Sequence, residues 1–205
     1  MNLKEGVPEA CYDELVALYS SPGRVYHTMR HLEEAAQCWV DVRRDVGWDI
    51  EGYDKACVLQ TTKAALLYHD SYYVPGQHRN EEYSSIFAAG AIRRWFVWAN
   101  EKQVCRLIGL TKLHGTVIED LQLYEKLFLD CDTAILGAGS DRYDEYARDI
   151  AAEYSFLPQN VYRAGRLGFL TKFLKLPHVF HSDYFRDRLE RQAQYNLQRE
   201  FESLS

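Results

Sequence analysis

The chain predicts an all-α fold, a single compact helical bundle, and three observations predict it. Apolar residues return every three to four positions along most of the chain. No alternating run of β-branched residues is long enough to form a sheet. No internal repeat and no low-complexity linker divides the 205 residues, so 1–205 is expected to be one domain with volume for a real core.

The elements follow in order. Val25, Met29, Leu32, Ala36 and Trp39 form one helical stripe, and His27 and His31 sit four apart within that pattern. Residues 55 to 68 fit a helix that turns apolar at Ala-Ala-Leu-Leu-Tyr. The stretch SYYVPGQHR breaks the pattern, with Pro75-Gly76 as the turn. Asn80 is expected to cap a helix over residues 81 to 99, with Glu81 and Glu82 in its first turn. Residues 101 to 114 form the next helix, and Gly115 stops it. Ile118, Leu121, Tyr124, Phe128 and Cys131 carry the period on. LGAGSD reads as a loop, and residues 142 to 155, 158 to 175 and 183 to 203 as three amphipathic helices.

Composition removes several function classes. The net charge is −6 and no dense Lys/Arg run occurs, which excludes a surface that tracks nucleic-acid phosphates. No apolar run approaches the roughly 20 residues of a membrane span, and the N-terminus carries no signal core. The five cysteines are scattered and odd in number, without a CxxC pair, as expected of reduced thiols in a cytoplasmic protein. LGAGS lacks the GK[ST] of a phosphate loop, and no GxSxG or cysteine-nucleophile pattern occurs.

What remains is a set of polar outliers on apolar helices: His27, His31, His69-Asp70, His114 and Asp132. His27 and His31 on one helical face either approach one ion or form a packing pair. His69-Asp70 ends an apolar run, where a charge must be solvated, paired or bound to metal. Asp130 and Asp132 both lie in an apolar segment, and Asp132 is either a ligand or the cap of the following turn. Two histidines with two aspartates suit Mn²⁺, Fe²⁺, Co²⁺, Ni²⁺ or Zn²⁺, with Mg²⁺ also to be tried. His178 and His181 lack further ligands nearby and read as structural.

The order H…HD…D, carried by His31, His69-Asp70 and Asp132, resembles the HD superfamily of metal-dependent phosphohydrolases. The similarity is to its branch of small predicted phosphohydrolases. There YHxxxH is matched by Tyr26-His27 and His31, and FHDxxY by Tyr68-His69-Asp70 and Tyr73. NExxS is matched by Asn80, Glu81 and Ser84, and TKxH by Thr111, Lys112 and His114. DxDxxILG is matched by Asp130, Asp132 and Ile135 to Gly137, GR by Gly165-Arg166, and NLxxE by Asn196, Leu197 and Glu200. Two positions depart from the pattern. Arg79 stands where an aspartate is usual, and Ala152 where a basic residue is usual.

The resemblance implies an all-α enzyme that hydrolyses a phosphoester or phosphoanhydride of a small nucleotide: a nucleoside monophosphate, a dNTP or a signalling nucleotide. It implies His31, His69, Asp70 and Asp132 as ligands of one divalent ion. YHxxxH also resembles the opening of cyclic-nucleotide phosphodiesterases, which implies His27 as the general acid. Imidazole titrates near neutral pH and suits that role. Glu81 either orients the attacking water or simply favours its helix N-terminus. Lys112 and His114 either meet the phosphate or end their helix. Arg79 either reaches a second phosphate or lies on the surface, and Arg163 and Arg166 belong to a helix expected to face the site. Two other readings keep the fold: a two-iron oxygenase recruiting His78 and His114, and a non-catalytic nucleotide-binding regulator. A homodimer is left open.

Overall fold

The computed structural model describes residues 3–46 and 54–205, and among them every regular element is helical. The order is α1 (Leu3–Gly6), α2 (Glu9–Tyr19), α3 (Met29–Val46), α4 (Lys55–Tyr68), α5 (Asn80–Trp95), α6 (Glu101–Thr111) and α7 (Leu123–Thr133). A 3-10 turn (Ala134–Gly137) follows, then α8 (Ser140–Glu153), α9 (Gln159–Leu174) and α10 (Asp183–Leu204). No described helix is long and apolar enough to cross a membrane.

Helix α4 is the hub of the bundle. It packs against α3, α5, α6 and α7, while α10 closes over α9 and the 3-10 turn. Its C-terminal half is buried all round, from Ala64 to Tyr68, which is why those residues read as a continuous apolar run rather than a stripe. Leu32, Trp39, Leu107 and Phe128 pack from the neighbouring helices. Each large side chain buried this way stabilises the fold by roughly 1.5–3 kcal/mol.

The structure corrects five expectations about the elements. Residues 24 to 28 are not helical, so His27 precedes α3 and only His31 lies in its first turn. The reason is a contact distant in sequence: one carboxylate oxygen of Glu153 accepts the backbone N–H groups of Val25, Tyr26 and His27, at 2.8, 2.9 and 2.9 Å. Those donors are thereby taken from any helix, and Val25 is left exposed. Asn80 does not cap α5. It begins the helix, and its side chain bonds both backbone groups of Val74 instead. Helix α5 ends at Trp95 rather than at 99, because Phe96 turns inward and its N–H closes on Ile92. Ile118 and Leu121 lie before α7, not in it. Gly115 and Asp120 both adopt positive φ (76° and 56°), and the Glu125 carboxylate takes the Gln122 N–H at 3.0 Å to start the helix there. The LGAGSD loop is shorter than expected: the 3-10 turn occupies its front and α8 starts at Ser140.

Gly137 marks where α10 meets the 3-10 turn. A Cβ there would lie 2.6 Å from Leu189 Cβ and 3.0 Å from the Leu189 carbonyl oxygen, so only glycine allows this approach. Gly168, exposed and mid-helix in α9, has nothing within 4 Å of such a Cβ. The two should respond oppositely to alanine. Gly137→Ala should cost about 1–3 kcal/mol through overpacking. Gly168→Ala should add about 0.5–1 kcal/mol through helix propensity. Urea unfolding of both variants measures the signs.

Candidate metal centre

Three helix ends supply the site. His31 comes from the first turn of α3, His69 and Asp70 from the residues just past α4, and Asp132 from the last turn of α7. Their polar atoms converge. His69 Nε2 lies 3.1 Å from Asp70 Oδ2, 3.1 Å from Asp132 Oδ1 and 3.3 Å from His31 Nε2. His31 Nε2 lies 3.1 Å from Asp132 Oδ1 and 3.9 Å from Asp70 Oδ2. Both imidazoles are buried, at 3% and 1% exposure.

Hydrogen bonds meet only part of this packing. His69 Nδ1 lies 2.8 Å from the Leu66 carbonyl, which can only accept, so Nδ1 carries the hydrogen. Nε2 of the neutral ring is then a bare lone pair facing two carboxylate oxygens and another ring nitrogen. A single proton on Nε2 could serve one of those three. A cation amid the donors serves all of them. Neighbouring ligands at about 2.0–2.2 Å from a metal are separated by about 3.0–3.5 Å, which four of the five separations here match, the His31–Asp70 pair being wider at 3.9 Å. His31, His69 and Asp70 thus form a group that could hold a metal ion, with Asp132 completing it.

Electrostatics agree with the geometry. Burial pushes the His69 ring toward neutrality, but Asp132 and Asp70 outweigh it and hold its pKa well above the ordinary value. Burial likewise pushes the Asp132 carboxyl up, and the charge of His69 with hydrogen bonds from His114, His31 and His69 holds it well below. Asp70 is also held low, against burial, by His69 and His27. The pocket therefore favours positive charge, whether a proton on His69 or an ion that displaces it.

Around this centre the structure sorts the remaining sequence candidates. His27 stands beside it, with Nε2 3.9 Å from Asp70 Oδ2. His27 Nδ1 lies 2.7 Å from the second oxygen of Glu153, and its ring stacks on Tyr73 at 3.9 Å. His114 sits at the α6–α7 turn and donates to Asp132 Oδ2 at 2.8 Å, so it orients that carboxylate. Asp130 is fully buried. It accepts from the backbone of His181 and Ser182 and from the Ser182 hydroxyl, which fixes the start of α10 and separates its role from that of Asp132. Burial pushes Asp130 up to about 6 against those three donors.

A cavity of about 430 Å³ opens from the cluster, lined among others by His27, His31, Asp70, Glu81, His114 and Asp132. His69 lies behind its wall. Arg166 lines it too, but its fork grips Glu200, at 2.8 and 2.9 Å. Three residues expected at the site lie outside. Arg79 is an exposed cation paired with Glu82 and stacked over Tyr83, so it is a surface residue. Lys112 donates to the His78 carbonyl at 2.6 Å and stands 3.8 Å from Glu81 at the rim. Arg163 binds the chain end at Leu204 and Ser205 instead of facing the cavity.

Three residues that shape the centre carried no signal in the periodicity. Glu153 aims His27. Tyr26 places its hydroxyl 3.0 Å from His31 Nδ1. Arg24 donates to the carbonyls of His27, Asp70 and Ser71 and so ties two donor turns together. The charge and spacing of Glu153 alone could have flagged it, since it is a carboxylate on the apolar face of α8.

Chelator-treated protein should gain stability when a divalent ion is restored. At a hundredfold excess over Kd the gain is about 2.7 kcal/mol, or about 5–11 °C in Tm. Asp132→Ala should abolish that shift. Binding displaces the His69 proton, so affinity should fall as pH drops below the raised His69 pKa, about tenfold per pH unit. Competition titrations against a chromogenic chelator across pH read this slope, and a flat profile would contradict it.

No family model, no curated protein and no solved structure matches the chain.

Proposed function

We propose that the chain is a metal-dependent phosphohydrolase of the HD type, acting on a small nucleotide. The observation that carries this reading is the aim of one side chain. His27 Nε2 points into the cavity beside the four-donor cluster, while its other nitrogen is held at 2.7 Å by the buried Glu153 carboxylate. A ligand cluster alone serves many roles. A ligand cluster with an imidazole poised beside it, outside the donor set, is the arrangement of a proton donor next to a Lewis acid.

A divalent ion held by His31, His69, Asp70 and Asp132 would supply a water acidic enough to attack at neutral pH and positive charge opposite the phosphoryl oxygens. The chain's own residues do the rest. Hydrolysis joins the water oxygen to phosphorus and breaks the bond from phosphorus to the leaving oxygen. His27 delivers its Nε2 proton to that oxygen, and the product alcohol leaves with inorganic phosphate. Glu153 holds His27 Nδ1–H throughout. Burial pushes the Glu153 carboxyl up, but the His27 ring and the backbone donors outweigh it and keep it ionised, ready to face an imidazolium. Glu81, on the cavity wall in the first turn of α5, accepts from the attacking water, and Lys112 steadies it from outside.

The two-iron reading lacks its extra ligands. His78 is exposed on the loop after Pro75, and only His114 among the additional histidines reaches the cluster.

A metal-reloaded protein should release phosphate from a nucleotide panel, and His69→Ala should lose both metal and turnover. His27→Ala should keep its metal and lose about 10²-fold or more in kcat. Glu153→Gln should keep its metal and lose about 10–100-fold, with nitrogen NMR showing the His27 hydrogen moved from Nδ1 to Nε2. Loss of metal in His27→Ala would make His27 a ligand instead, and silence across the panel would remove the hydrolase assignment.

A further inference from the structure

Beyond the cluster the cavity changes character. Its far walls come from the second half of α8, the following turn and α9: Tyr146, Ile150, Tyr154, Leu157, Tyr162 and Phe169. The faces are aromatic and aliphatic. Tyr154 and Tyr162 stand with ring centroids 6.2 Å apart, and Tyr146 leads back to the centre by packing edge-on against Tyr26 at 4.7 Å.

The charges on these walls are unusual for a nucleotide site. Among the described residues lining the cavity, Arg166 is the sole lysine or arginine. Its charge is not available. Two of its nitrogens bind the Glu200 carboxylate, a third donates to the Tyr146 hydroxyl at 3.1 Å, and its plane lies over Phe169 at 4.7 Å. Tyr143 donates a further hydrogen bond to Glu200 at 2.6 Å, which locks the pair. The other ionised linings, Asp70, Glu81 and Asp132, are acidic. A bound divalent ion would offset the two aspartates, and the proton that His27 delivers would be the one positive charge left beside them, which is too little for a chain of phosphates. Sites that bind polyphosphates meet each added charge with lysine, arginine or metal.

We infer that the substrate is a phosphate monoester with a single phosphoryl group, whose uncharged, planar leaving group seats between the aromatic walls of α8 and α9. This rests on the hydrolase reading for the turnover and on the cavity alone for the binding preference. One phosphoryl group, met by the ion and by the His27 proton, is the most charge the centre can accept. Flat apolar surface is what the walls can bury, at the strength of a ring stacked on aromatic side chains.

The test uses the full-length, Mn²⁺-reloaded protein with AMP, ADP, ATP, ribose 5-phosphate and 1-naphthyl phosphate. AMP and 1-naphthyl phosphate should exceed ribose 5-phosphate by about tenfold or more in kcat/KM, the effect of one stacked ring. ADP and ATP should fall below AMP by about tenfold or more for each added phosphate. Two variants address the walls. Tyr162→Ala should shrink the ratio of AMP to ribose 5-phosphate toward one. Val161→Glu, at a half-exposed position of the lining, should weaken AMP without threatening the fold. Equal or better use of ATP, or ribose 5-phosphate as good as AMP, would overturn the inference. If no compound is turned over, the hydrolase reading fails, and calorimetry of the same loaded protein decides the inference separately. AMP binding at least tenfold tighter than ATP and ribose 5-phosphate upholds it, and equal or reversed affinities overturn it.

Discussion

Asp70 and Asp132 place two carboxylates against one buried imidazole in the interior of a helical bundle. Like charges so close, away from bulk water, repel unless positive charge stands with them. The surroundings are arranged around that requirement. His69 presents Nε2 because the Leu66 carbonyl holds its other nitrogen, and His31 and His114 each address a different oxygen of Asp132. The donors are rigid because each sits at a helix end whose neighbours are packed. Arg24 then ties the His27 turn to the Asp70 turn through three backbone carbonyls.

Further contacts work outward from the same point. Glu153, the last residue of α8, binds three successive backbone N–H groups and the ring of His27, so a single buried carboxylate both unwinds the chain ahead of α3 and aims its imidazole. Asn80 and Ser84, one turn apart on α5, hold the backbone of Tyr72 and Val74. The residue between, Tyr73, is thereby set flat against His27. Fold and site are thus one network, in which helix termini position chemistry and buried side chains position the loops between them.

Much of this was legible in the sequence. The helical period located α3 to α10 to within a few residues, because most of these helices bury one face and solvate the other. The convergence of His69-Asp70 and Asp132 was foreshadowed because they are charged or polar residues at the edges of apolar runs, where burial makes them costly. The failures share a cause. His27 was placed on a helix because the period continues through Val25, and nothing local reveals that Glu153 takes the backbone donors from more than a hundred residues away. Asn80 has the composition of a cap but spends its side chain on Val74, again a tertiary choice. The loop position of Arg79 and the motif position of Lys112 both point inward, whereas their long side chains find partners on the surface. Arg166 lines the cavity, but its neutralisation by Glu200 depends on α9 packing against α10.

X-ray absorption of the Zn²⁺- or Co²⁺-loaded protein tests the central claim most directly, because it counts the atoms around the ion. The account predicts a first shell of nitrogen and oxygen at about 2.0–2.2 Å, with the outer scattering of two imidazoles and no sulfur. One imidazole or none, or a sulfur from Cys131 beside Asp132, would contradict the four-donor centre and everything built upon it.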